Sequence, residues 1–176
     1  GQRNWHACES FNFDWSCYHA GDKAVKTAYA GQAWDDDDEA WAESSVAVMR
    51  SLERCGARFH IAGLDNIRRA AGPVVFISNH MSTVETMVFP CLIVPFRPVT
   101  FVVKESLLEY PFFKHVLRSR DPIAVTRTHP RQDFKTVLNE GMIRLRKGIS
   151  IIVFPQTTRT HLFDPAQFNT IGVKLA

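Results

Sequence analysis

From about residue 72 onward, short continuous apolar runs take turns with longer stretches in which apolar residues recur every three to four positions. The runs at 73–78, 99–103, 122–126 and 150–154 carry apolar residues at successive positions, the pattern of strands buried on both faces. The stretches between them predict helices from Ser82, over 106–118 and over 131–147. The last is the best defined. Phe134, Val137, Leu138, Met142 and Leu145 make one stripe, and Gly148 supplies a stop. Arg144, Arg146 and Lys147 fall where the helix dipole favours cations and are expected to be solvated.

Upstream, the acids from Asp35 to Glu39 precede a helical pattern with Trp41, Ser45, Val48, Leu52 and Cys55 on one face and Gly56 as its end. A further strand is expected at 58–62, and the aromatic, glycine-interrupted leader to Trp34 shows no clear period. Strands alternating with helices predict an α/β fold, a mixed, largely parallel sheet flanked by helices with a helical or irregular N-terminal segment. Residues 1–56 are read as a leader and helix packed on the main domain, and 57–176 as the α/β domain.

Composition adds charge asymmetry to this picture. Hydrophobic residues make up 45% of the 176 and the net charge is +3, yet residues 1–45 hold nine acids against three bases and residues 97–160 twelve bases against five acids. A basic downstream half suits phosphates, acidic lipid headgroups or the phosphorylated end of coenzyme A. No nucleic-acid module accompanies it. The most apolar window, 84–103, is interrupted by Glu85, Pro90, Pro95, Arg97 and Pro98 and does not read as a membrane span. No secretory signal is visible, so a cytoplasmic setting with reduced thiols is expected. His6-x-Cys8 and Cys17-x-His19 depart from zinc-finger spacings and read as part of an apolar cluster, and the consecutive acids 35–38 splay apart, so no metal is expected.

The chemistry sits just after the strands. His80 lies at the mouth of the 73–78 run, with Glu85 five residues on. Partners on one regular helix are three or four residues apart, so this pair belongs to a turn and the helix after it, from which an imidazole folds back onto the carboxylate as an oriented general base. The plainer reading is a hydrogen-bonded turn histidine and an acid in a helix's first turn.

Two further blocks bear on that choice. Asn79-His80-Met81-Ser82-Thr83-Val84-Glu85 resembles the N-H-x-x-x-x-D signature of the glycerolipid acyltransferases, which acylate lysophosphatidic acid and related lysophospholipids. Lys104-Glu105-Ser106-Leu107-Leu108, Pro111-Phe112-Phe113 and Ile123-Ala124-Val125-Thr126-Arg127 look like that family's second block. Phe154-Pro155-Gln156-Thr157-Thr158-Arg159-Thr160 is similar to the third, usually F-P-E-G-T-R-S. The resemblance covers residues 72–176. A fourth block, an apolar run ending in proline, would lie past Ala176, so the sequence is expected to be a piece of a longer protein.

The resemblance implies an O-acyltransferase of the 1-acyl-glycerol-3-phosphate acyltransferase kind, without a bound cofactor, using acyl-coenzyme A or acyl-carrier protein as co-substrate. His80 and Glu85 would be catalytic. Asn79, Lys104, Arg127, Phe154, Pro155, Gln156, Thr158 and Arg159 would bind substrate, with Arg127 and Arg159 on phosphate. The partners would be a lysophospholipid acceptor, the acyl donor and the cytoplasmic side of a membrane. The protein would rest on that surface peripherally through Phe96, Arg97, Phe101, Phe112, Phe113 and Lys114, residues that fit a core equally well. Three departures stand out: Glu85 for aspartate keeps the carboxylate, Gln156 for glutamate removes a charge near the acceptor, and Thr157 for glycine disfavours positive φ. The rival readings are a lipid hydrolase with Ser82 or Thr83 as nucleophile, a non-catalytic lipid-binding relative, and a coenzyme A-independent transacylase.

Overall fold

A computed structural model describes residues 38–111, 114–156, 158–159 and 164–176. Four strands, β1 (Val75–Ile77), β2 (Val99–Lys104), β3 (Ile123–Val125) and β4 (Ser150–Val153), form one sheet in the order β1-β4-β2-β3. Every pairing is parallel, with Ile77 opposite Val153, Phe101 opposite Ile152 and Lys104 opposite Val125. The helices are α1 (Asp38–Arg54), α2 (Leu64–Arg69), α3 (Val84–Ile93), α4 (Lys114–Ser119), α5 (Pro130–Arg146) and α6 (Ile171–Leu175), with 3-10 turns at Glu105–Glu109 and Pro165–Gln167. The α/β architecture is the expected one, with a wholly parallel sheet.

Alternation along the strands splits the core into two layers. Val99, Phe101 and Val103 of β2 and Ile152 of β4 join Trp41 of α1 and Ile93 of α3 on one face. Ile151 and Val153, the neighbours of Ile152, join Ile123, Val125, Val137 and Leu175 on the other. All four residues of β4 are buried, as a central strand of a doubly covered sheet requires. Both predicted glycine stops hold. Gly56 and Gly148 adopt positive φ, and the amides of Ala57 and Ile149 reach back to Leu52 and Arg144 carbonyls in the paired pattern that closes helix C-termini.

The contact between α1 and α3 explains a proline inside a helix. Pro90 has no N–H, and the ladder around it is reconnected by Ser45 of α1, whose hydroxyl donates to the Met87 carbonyl and accepts the Cys91 amide at 3.2 Å. Ser45 is fully buried. Ser45→Ala should therefore leave two buried backbone groups unpaired and cost about 1–3 kcal/mol. At about 2–4 °C per kcal/mol for a chain of this size, differential scanning calorimetry will show a lowered Tm.

Several expected elements come out differently. Residues 58–62 pair with no strand, because Phe59 alone is half-buried there while Ile61 stays exposed. The expected helix over 106–118 divides into a 3-10 turn and α4, since Pro111 drives Tyr110 into an extended conformation (φ −69°, ψ 123°). On α5 the buried seam is Val137, Gly141 and Arg144, while Met142 faces solvent. Gly141 has no side chain and so admits Leu175 of α6, whose Cδ1 lies 2.6 Å from where a Cβ would stand. Arg144 is buried rather than solvated, donating to the Asp121 carbonyl and carboxylate at 2.8 Å each and to the Glu140 carboxylate at 2.7 Å. On α1, Ser44 joins the buried face and Cys55 leaves it.

Among the described residues no helix is long and apolar enough to cross a membrane. Two of the residues read as either membrane-facing or core are structural. Phe101 is core, and the Arg97 guanidinium donates to the Ile67, Ala70 and Gly72 carbonyls that end α2. Phe96 is half-buried beneath Arg68 and Lys114 half-buried at the start of α4, whereas Phe112 and Phe113 lie outside the described residues, as do His6, Cys8, Cys17 and His19 and the acids 35–37.

Candidate active site

In a parallel sheet all strands end on the same edge, and here that edge gathers the predicted residues. β1 runs into Asn79 and His80, and its neighbour β4 into Phe154, Pro155 and Gln156; the Ser78 amide donates to the Val153 carbonyl at 3.2 Å and holds the two exits side by side. β2 ends at exposed Lys104, opposite Val125 of β3, and Arg127 follows that strand end two residues on.

His80 is fixed by three contacts. Its backbone amide donates to Oε1 of Gln156, itself only 4% exposed. Its ring stacks on Phe154 with centroids 4.3 Å apart, and Phe154 in turn stacks against Phe89 and Phe101. Its Nε2 accepts from Nε of Arg159 at 3.3 Å. An accepting Nε2 corresponds to the tautomer that carries its proton on Nδ1. That Nδ1 faces Oε2 of Glu85 at 3.9 Å, beyond hydrogen-bond length, and is buried without a partner.

Glu85 is held from the other side. Its carboxylate accepts from the Met81 amide (2.8 Å), the Ser82 amide (2.9 Å) and the Ser82 hydroxyl (2.8 Å). Ser82 also accepts the Val84 amide at 3.0 Å, so Ser82 and Glu85 together satisfy backbone donors of the turn that leads into α3. The sequence reading put His80 in a turn and Glu85 in the helix that follows, as found, but did not foresee the Ser82–Glu85 contacts. These bear on the hydrolase reading as well, because the Ser82 hydroxyl is directed to Glu85 and not to His80.

Burial is the main force holding the His80 pKa below its ordinary 6.5; Glu85 opposes it, and the positive charges of Arg159 and then Arg127 add to it. Both arginines thus lie close enough for their fields to reach the ring. Arg127 adopts a left-handed φ of 62°, fixed by Asp133 of α5, which accepts the Arg127 amide at 2.7 Å and the Thr126 amide and hydroxyl at 2.9 and 3.0 Å. Asp133 was not among the predicted residues; its signal is a carboxylate in the first turn of the helix that follows a strand-end arginine. Pro155 is buried and its carbonyl accepts the Asn169 amide at 3.2 Å; Thr158 and Arg159 are exposed. Thr157 lies outside the described residues.

The arrangement is an imidazole at a sheet edge, with the Glu85 carboxylate behind one nitrogen, the Arg159 guanidinium before the other and an aromatic wall beneath. The sequence profile of the acyltransferase family matches residues 58–176. The chain belongs to the acyltransferase family. It is 32% identical over 136 residues to a 1-acyl-sn-glycerol-3-phosphate acyltransferase of Pseudomonas aeruginosa, covering 77% of this chain and 50% of that protein. It is 29% identical over 132 residues to the protein of that name from Borreliella burgdorferi, covering 74% of this chain and 51% of that one. With the chloroplastic LPAT1 of Arabidopsis thaliana it shares 27% identity over 103 residues, 58% of this chain and 28% of the other. The chain spans about half the length of the first two relatives. No solved structure matches it. The glycerolipid acyltransferase resemblance seen in the three blocks is thus borne out at the level of family.

Proposed function

We propose that the protein transfers a fatty acyl group from a thioester, acyl-coenzyme A or acyl-carrier protein, to a hydroxyl of a lysophospholipid such as lysophosphatidic acid. The observation that carries this reading is the orientation of His80: its Nε2 faces Arg159 while Nδ1 faces Glu85. A hydroxyl arriving beside Arg159 meets a base on that side.

In the proposed reaction Nε2 takes the hydroxyl proton and the oxygen attacks the thioester carbon. The resulting imidazolium is stabilised by Glu85. The tetrahedral adduct collapses with cleavage of the C–S bond, and the imidazolium returns its proton to the sulfur, leaving an ester and a free thiol. No acyl-enzyme forms. Closing the 3.9 Å gap between Nδ1 and Glu85 is the adjustment this requires, and such contacts commonly tighten when substrate binds. Arg127 and Arg159 offer bidentate charge-assisted bonds to the acceptor phosphate, with Lys104 as a further cation, and Asn79, Phe154, Pro155, Gln156 and Thr158 shape the pocket. The protein acts peripherally at the cytoplasmic face of a membrane, where its acceptor resides.

The test is release of thiol from acyl-coenzyme A and from acyl-carrier protein by the full chain with lysophosphatidic acid in mixed micelles. Acceptor-dependent release with phosphatidic acid as product is expected. Lysolipid binding with no release from either thioester would replace this reading with that of a non-catalytic relative, in which Glu85 serves only to hold the turn before α3.

A further inference from the structure

The nitrogen that the proposed reaction needs is occupied in the free protein. Nε2 of His80 accepts from Nε of Arg159 at 3.3 Å, and a lone pair engaged with a guanidinium is not available to a hydroxyl. The same Arg159 is exposed and so able to swing out, whereas the His80 ring is pinned by Phe154, by Gln156 at its amide and by burial. A phosphate monoester is a far stronger partner for a guanidinium than a neutral imidazole is. Resting on the acyltransferase reading above, we propose that Arg159 is a latch on the general base, and that a phosphate monoester on the acceptor opens it by drawing the guanidinium away from Nε2.

The latch makes Arg159 determine specificity through turnover and not through affinity alone. An acceptor with a hydroxyl but no phosphate can enter and still face an occupied base. Phosphate binding therefore becomes a condition for deprotonation, which protects the thioester from acceptors of the wrong class and from water. Among the described residues, the charged groups that act on the ring are Glu85 on α3, Arg127 after β3 and Arg159 after β4. Removing Arg159, or turning it onto a phosphate, leaves Glu85 opposed by less positive charge, so protonation of His80 becomes easier in both cases.

The experiment follows the His80 ring by NMR in the full chain with 13C-labelled histidine, assigned by loss of its signal in His80→Gln. The titration midpoint should move upward in Arg159→Gln without any ligand, and upward in the wild type on adding glycerol 3-phosphate. Inorganic phosphate serves as a second arm: an equal shift means any phosphate anion opens the latch, and a shift with glycerol 3-phosphate alone means the glycerol headgroup is needed, and either supports the proposal. An unmoved midpoint in Arg159→Gln, or in the wild type with both phosphates, overturns it. Turnover adds a separate readout, since Arg159→Gln should raise kcat on monoacylglycerol roughly tenfold, the size of one charge-assisted hydrogen bond, where a pure binding role leaves that kcat unchanged. An upward midpoint shift in a protein that turns over no acceptor keeps the latch and refutes the acyltransferase reading.

Discussion

Replacing His80 by alanine is expected to lower kcat for acyl transfer to lysophosphatidic acid by roughly 10²–10⁴-fold, the usual contribution of a positioned general base, with the KM for acceptor little changed. The KM expectation follows from position. The ring faces the reacting hydroxyl, whereas the phosphate contacts are assigned to Arg127 and Arg159. Stopped thiol-release assays on the two proteins, with circular dichroism to check that both are folded, separate kcat from KM. Wild-type turnover in His80→Ala would remove the base from the mechanism.

The same residue sets a pH dependence whose sign is fixed by burial. The folded pKa of His80 lies below its ordinary 6.5, chiefly through desolvation. The rising limb of kcat/KM should accordingly fall below pH 6.5, and the base is neutral through the physiological range. Stability follows from the same shift. Between the folded pKa and 6.5 the unfolded chain binds more protons than the folded one, so this contribution is complete above 6.5 and is lost as pH falls through the folded value. Urea midpoints measured across that window should decline with acid in the wild type and decline less in His80→Ala.

How much of this was legible before folding differs by element, for physical reasons. The strand β4 and the helix α5 were readable because a buried parallel strand is apolar at every position and a long helix repeats its stripe several times. The sheet order was not, since β4 inserts between β1 and β2, and no local pattern records which strands become neighbours. Met142 and Arg144 were misjudged together. The seam on α5 turns toward Gly141, a residue that hydropathy ignores, because Leu175, more than thirty positions downstream, needs the space. Arg144 then becomes buried beside the turn at Asp121. At the site, residue types and order were legible, but the second use of Glu85 as an acceptor for the turn before α3 and of Arg159 as a partner of His80 depends on side-chain directions set by the fold.

Glu85→Gln and Glu85→Ala are expected to part company, and their difference decides what the carboxylate does. Its two oxygens accept from the Met81 amide, the Ser82 amide and the Ser82 hydroxyl, and an amide oxygen in glutamine can keep accepting from the backbone. Glu85→Gln should therefore stay within about 1 kcal/mol of wild-type stability, while Glu85→Ala loses these contacts and costs about 1–2 kcal/mol. Turnover should fall in both by roughly 10²–10⁴-fold, because neither neutral side chain stabilises the imidazolium that forms when His80 takes the hydroxyl proton. Glu85 is also the charge that raises the His80 pKa, so its removal should move the residual kcat/KM limb to still lower pH. Parallel urea denaturation and thiol-release measurements give both axes. Glu85→Gln with intact stability and intact turnover would reduce the carboxylate to an acceptor for the turn before α3 and break the dyad; intact stability with lost turnover shows that its charge acts on the base 3.9 Å away.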